Sequence, residues 1–216
     1  MKLEADSPLI AAGIKITNLL ILNLCWLIGC LPLVTIGTST IAAFAVTLKM
    51  AEDREDISIT KQFWSAYKAE LKHGIPLTLL VGASGYAVWM NFQLFNKLDQ
   101  NPLAFLLMAI FIIVLLLVHV LYVFALEARY ENHLLAALAN SRKIFVRFFL
   151  RSLGLCGMLL LQWFLFTGTA PVLSYAGIFC LPVLMIYTVS QVSMPIFRRL
   201  ESDCCANDGL TITGGN

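Results

Sequence analysis

The sequence predicts an all-α fold, a multi-pass transmembrane helical bundle, and three observations carry that prediction. Residues Leu103 to Leu126 form an unbroken run of 24 residues in which His119 is the one side chain that titrates near neutral pH. As a helix this run is about 36 Å long, enough to cross a bilayer. Apolar residues make up 59% of the chain and charged residues 13%, with a mean hydropathy of +0.82. A soluble domain is roughly half apolar and a quarter charged. Comparable apolar runs recur along the chain, so a single helical domain is expected over residues 1–200, followed by a polar, disordered cytoplasmic tail over 201–216.

From the N-terminus, Ile16 to Leu31 is apolar apart from Thr17, Asn18 and Asn23, and Pro32 disfavours helix at the residue before it. A break is predicted there. Thr38 to Met50 is apolar and small, with Thr38, Ala42 and Ala45 on one face, a surface that lets helix backbones approach closely. At roughly 13 to 15 residues it is short for a crossing, and reads as a short hairpin limb, a re-entrant segment or the tail of a kinked helix. Ile75 to Phe95, Leu153 to Pro171 and Tyr175 to Phe197 complete five expected spans, with the Thr38 segment a short sixth.

The net charge is only +2, but the basic residues are unevenly placed. Lys49, Arg54, Lys61, Lys68 and Lys72 fall in one connector, and Arg129, Arg142, Lys143, Arg147 and Arg151 in another. Cytoplasmic loops collect Lys and Arg, so both connectors are expected inside. Arg198 and Arg199 place the C-terminus inside as well, and six crossings bring the N-terminus to the same side. Both connectors read as amphipathic interfacial helices. Ile59, Phe63, Trp64, Tyr67 and Leu71 share one arc opposite Lys61, Lys68 and Lys72, while Leu134, Leu138, Phe145 and Phe149 oppose Lys143, Arg147 and Arg151. Such faces suit either the headgroup boundary, with cations meeting anionic lipid, or a docked cytoplasmic protein. Glu70 falls within the apolar arc of the first helix, where a carboxylate calls for a partner cation.

Polar groups inside the spans are where solute recognition could reside. His119 is the leading candidate, eight residues before Glu127 and thus about 12 Å along the helix. Asn91, Gln162 and Gln191, like Asn23, admit the same two readings: hydrogen bonding between helices, or the lining of a path. The spans carry no mid-span carboxylate, which counts against an ion-coupled transporter. Zinc-protease, nucleophile-elbow and phosphate-loop motifs are missing, so the chain is expected to be non-enzymatic, with no cofactor, no metal and no nucleic-acid partner. Cys25, Cys30, Cys156 and Cys180 lie in apolar runs without paired spacing.

The segment Asn23-Leu24-Cys25-Trp26-Leu27, followed by Pro32, Thr35, Gly37, Ala42 and Ala43, resembles the amino-terminal signature of the YesL-like family of bacterial integral membrane proteins. Phe63-Trp64 with Tyr67 and Lys68, and Ala128-Arg129-Tyr130-Glu131-Asn132, are similar to later segments of that family, so the likeness runs from about residue 15 to 195. Ala125 and His133 depart from the commoner residues at that corner. The signature itself reads as a bend: Pro32 ends a helix, Thr35 satisfies freed backbone groups, Gly37 permits an unusual dihedral, and small residues follow. The resemblance implies a protein of the bacterial cytoplasmic membrane, often encoded beside carbohydrate-uptake systems and not itself a recognised permease. The expectation is an accessory component of sugar uptake or utilisation that contacts the bilayer, transporter subunits or a second copy of itself. The alternative is a small-solute transporter or channel.

Overall fold

A computed structural model describes residues 8–52, 58–97, 107–108, 122–130, 134–168 and 171–206. Helix α1 covers Pro8–Gly29, and a short 3-10 turn at Leu33–Thr35 leads into α2, Ile36–Ala51. Helix α3 is Ile59–Ala69 and α4 is Leu71–Lys97. Residues 122–129 form α5, followed by α6 (Leu134–Arg147), α7 (Phe149–Gly168) and α8 (Pro171–Ala206). The described residues contain no strand.

The centre of the bundle is α2, packed against α1, α3, α4 and α8. Its buried set includes Ile41, Ala42, Ala43, Phe44, Val46, Leu48 and Met50, together with Thr38, Ser39 and Thr47, so several faces are covered at once. That is what the small residues of this segment permit: short side chains let neighbouring backbones come close without voids. Polar cross-links add to the packing. Thr47 and Ser190 hydroxyls lie 2.6 Å apart between α2 and α8, and Trp26 Nε1 donates to Thr40 Oγ1 at 3.3 Å between α1 and α2. Within a membrane such bonds average only about 0.6 kcal/mol each, so close packing is the larger contribution.

The break before α2 is built from backbone chemistry. Helix α1 stops at Gly29, and Pro32 opens the 3-10 turn in an extended conformation. The Thr35 hydroxyl donates toward the carbonyls of Gly29 at 2.9 Å and Pro32 at 2.8 Å. The restarted helix leaves N–H groups of its first turn without intrahelical partners. One of them, Gly37 N–H, donates to Thr78 Oγ1 at 2.8 Å, and that hydroxyl donates onward to the Gly74 carbonyl at 2.9 Å. Gly37 has a normal helical φ and not the unusual dihedral expected of it. Its value is the missing side chain, since a Cβ there would fall 2.6 Å from the Gly74 oxygen. Gly74 answers it, because a Cβ on Gly74 would land on the backbone of Thr38.

This crossing separates residues that the sequence groups as one basic connector. Fully buried Phe63 and half-buried Tyr67 of α3 lie against Gly29, and α4 starts beside Thr38, all at the hinge end of α2. Lys49 and Glu52 stand at the other end of α2, about 21 Å away at 1.5 Å per residue. The aromatic face of α3 is drawn to the one place where glycines open the α1–α2 hairpin.

The count of spans also differs from the expectation of five or six. Among the described residues three stretches are long and apolar enough to cross a membrane: Ala12–Gly29, Leu33–Ala51 and Leu71–Leu94. A fourth is possible if α6 and α7, bent by 97° at Phe148, are taken as one broken span. The second stretch is longer than the 13 to 15 residues expected, because the 3-10 turn continues it to 19 residues. The Leu103–Leu126 run lies outside the described residues except for 107–108 and 122–126, and so does His119. The Tyr175–Phe197 run falls within α8, and nothing is described of its side chains before Leu181. The stripe read through Phe149 is divided, since Phe149 opens α7 beyond the bend. Helix α8 continues to Ala206, past residue 201 where the polar tail is expected to start, and residues 207–216 lie outside the described residues.

Gly74→Ala is expected to destabilise the protein by roughly 1–3 kcal/mol through overpacking at the α2–α4 crossing. Gly82→Ala on the same helix meets nothing within 4 Å and is expected to be neutral or stabilising by up to about 1 kcal/mol. Thermal unfolding in detergent of the two variants checks the contrast.

Candidate functional site

At the Glu52 end of α2, three helices are tied together by one guanidinium. Arg129, at the end of α5, donates from Nη1 to Glu52 Oε1 at 2.8 Å and from Nε to Glu201 Oε1 at 3.1 Å. Nη2 reaches Glu201 Oε2 at 3.4 Å, a fork on a single carboxylate, and Nη1 also lies 3.2 Å from the Met194 sulfur. The Tyr130 hydroxyl donates to Glu201 Oε1 at 2.6 Å. The guanidinium carbon stands 5.9 Å from the ring centres of both Tyr130 and Phe197, and those rings meet edge to face at 6.0 Å. A planar guanidinium suits this position, since it serves two carboxylates and stacks on aromatic faces together.

The electrostatics follow the geometry. Burial opposes the charge on Arg129, but its bonds to Glu201 and Glu52 outweigh that and raise its pKa. Burial likewise works against the Glu201 carboxylate, yet Arg129 and Tyr130 hold it below the usual range. Tyr130 is pushed up to about 12 by burial and by its bond to Glu201.

Glu127, two residues before Arg129, is treated very differently. It is 3% exposed, its Oε1 has no hydrogen-bond partner among the described residues, and its pKa rises to about 7. Burial is the main cause, and the charge of Glu70 adds to it. Glu70 is the C-cap of α3, at the joint with α4, and its charge is felt by this second carboxyl.

The residues singled out from sequence are dispersed over this frame. Asn23 is buried in α1, while Trp26, Thr35 and Gly37 make the hinge bonds already described, with Pro32 at the turn. Gln162 Nε2 donates to Thr188 Oγ1 at 2.7 Å, joining α7 to α8. Asn91 is buried in α4 and Gln191 is exposed on α8, and no hydrogen bond joins any two of Asn91, Gln162 and Gln191. Phe63 is fully buried and Trp64 and Tyr67 half-buried, whereas Lys61, Lys68 and Lys72 are exposed. On the second basic helix Lys143 and Arg147 are exposed, and Arg147 and Arg151 each lie 5.9 Å from the Phe148 ring centre. Among the described residues no group of three His, Cys, Asp or Glu is placed to hold a metal ion.

Sequence reasoning placed Arg129 in the second basic connector and missed its partners. Glu52 and Glu201 lie 77 and 72 residues from it, and neither stands out locally. Glu127 carried a usable signal, a carboxylate closing a long apolar run.

These features define a helical protein with several helices suited to membrane crossing and a charged clamp at one end. Residues 19–92, about a third of the chain, match a family described as "Protein of unknown function, DUF624". That stretch covers the second half of α1, the hinge, α2, α3 and most of α4. No curated protein and no solved structure matches the chain.

Replacing Arg129 by Ala takes the guanidinium from both Glu52 and Glu201 and is expected to cost roughly 2–4 kcal/mol, a buried-pair loss reduced by partial exposure. Unfolding of the variant against wild type at neutral pH measures it. The depressed Glu201 pKa means that its contribution is present above the ordinary carboxylate range and is lost as pH falls through the folded pKa. Glu127 has the opposite sign. The folded state holds its proton up to about 7 while the unfolded chain releases it near 4.5, so stability falls as pH rises between those values. Glu127→Gln is therefore expected to flatten that slope and to stabilise the protein at pH 8 by roughly 1–3 kcal/mol, read from unfolding midpoints across pH.

Proposed function

We propose that this chain is a non-enzymatic accessory component of bacterial carbohydrate uptake or utilisation, a multi-pass protein of the cytoplasmic membrane that works by contact with other membrane proteins. The observation that carries this reading is the surface of α4. Its candidate span, Leu71–Leu94, is 11% buried, whereas the span containing α2 is 61% buried. Helix α4 is held through Gly74, Leu77 and Thr78, and beyond them it presents Tyr86, Trp89 and Phe92 outward. Gly82 and Gly85 have nothing within 4 Å of where a Cβ would stand. A helix with aromatic side chains beside a glycine-floored strip suits close approach by another transmembrane helix.

The Gln162 bond to Thr188 and the exposure of Gln191 support this reading over a solute path lined by those two residues. The carbohydrate context rests on the likeness to the YesL-like family, an analogy at the level of the family.

Tagged full-length protein purified from its native cells in mild detergent is expected to bring down subunits of a sugar transporter. A Gly82→Leu/Gly85→Leu variant, which fills the strip, is expected to lose at least nine-tenths of that yield, on the order of 1.4 kcal/mol of association. A protein that purifies without partners, and whose deletion leaves sugar uptake unchanged, would sink the proposal.

A further inference from the structure

We propose that the outward face of α3 is a binding site for the phosphate of an anionic phospholipid headgroup. An open depression of about 420 Å³ lies on this face, lined by Thr60, Lys61, Trp64, Ser65 and Lys68. Lys61 and Lys68 are seven residues apart, so they point the same way to within about 20° and stand about 10.5 Å apart along the helix. Trp64 and Ser65 occupy the turn between them. The lining therefore offers two ammonium groups, two hydroxyls and an indole N–H, all able to donate to phosphate oxygens. It includes no carboxylate, and Ile59–Ala69 as a whole carries none.

The opposite face of the helix decides the class of ligand. Phe63 is fully buried, and its ring stacks with Tyr67 at 6.1 Å and meets Trp64 edge to face at 5.4 Å. The same Phe63 and Tyr67 rings lie against Gly29, where the candidate span Ala12–Gly29 ends. The depression is thus held beside the end of a membrane-crossing helix, with an indole in its wall. Tryptophan favours the headgroup level, and lysines there gain from anionic lipid. A cytoplasmic partner would need a protruding acidic segment to enter the same space, whereas lipid phosphate is at that level already. The site stands apart from the α4 surface, so its test is independent of the proposed function.

The full-length protein in phosphatidylcholine nanodiscs, supplied with phosphatidylglycerol and examined by native mass spectrometry, tests the assignment. Wild type is expected to retain phosphatidylglycerol over phosphatidylcholine, and Lys61→Gln/Lys68→Gln to weaken that retention roughly ten- to thirtyfold. Lys61→Arg/Lys68→Arg is expected to keep it, which separates a charged site from a folding defect. Arg142→Gln/Lys143→Gln on α6 removes the same charge elsewhere and is expected to leave it unchanged. Equal retention of the two lipids by wild type would overturn the proposal. So would an equal loss in the α6 variant, which indicates bulk charge. Displacement of the lipid by millimolar inorganic phosphate would mark a free-anion site in place of a lipid site.

Discussion

The constraint on which the rest of this structure depends is the close approach of α4 to the start of α2. At Gly37 and Gly74 the two backbones come nearer than any pair of side chains allows. The same contact solves a problem created by the break at Pro32. A restarted helix has first-turn backbone donors with no intrahelical partner. Thr78 removes one of them by accepting from Gly37 and passing its own proton to the Gly74 carbonyl. Packing and hydrogen bonding thus demand the same residues at the same place, which makes the crossing specific as well as tight.

The two ends of α2 have different characters. The hinge end is glycine-rich, and it gathers α1, α3 and α4. The other end is ionic, with Glu52 reaching Arg129, which in turn holds Glu201 beside Tyr130. Helix α2 is therefore clamped at one end by steric fit and at the other by charge. Its middle is sealed by Phe44 stacked on Phe124 at 6.5 Å and by the Thr47–Ser190 pair.

The two carboxyls near the end of α5 show how strongly placement governs charge. Glu201 is partly exposed and hydrogen-bonded to a guanidinium and a phenol, so it is ionised at neutral pH. Glu127 is buried, has an oxygen without a hydrogen-bond partner among the described residues and feels the charge of Glu70, so it holds its proton to about 7. The residue type is the same, and the donors supplied by the neighbouring helices make the difference.

Much of the architecture was legible from composition and periodicity, because a membrane leaves few options: a long apolar run can satisfy its backbone only as a helix. The all-α class, the break at Pro32, and the opposed faces of Phe63 and Lys68 all follow from such local rules. The break at Pro32 made the Thr38–Met50 segment look short for a span, whereas the 3-10 turn continues it into a stretch of 19 residues. What only the tertiary structure decided is which distant residues meet. Glu52 and Glu201 gained a role from Arg129, Gly74 from Thr38, and α3 moved to the hinge end of α2, away from Lys49. Those are long-range encounters set by shape and charge in three dimensions, and no local pattern in a single chain encodes them.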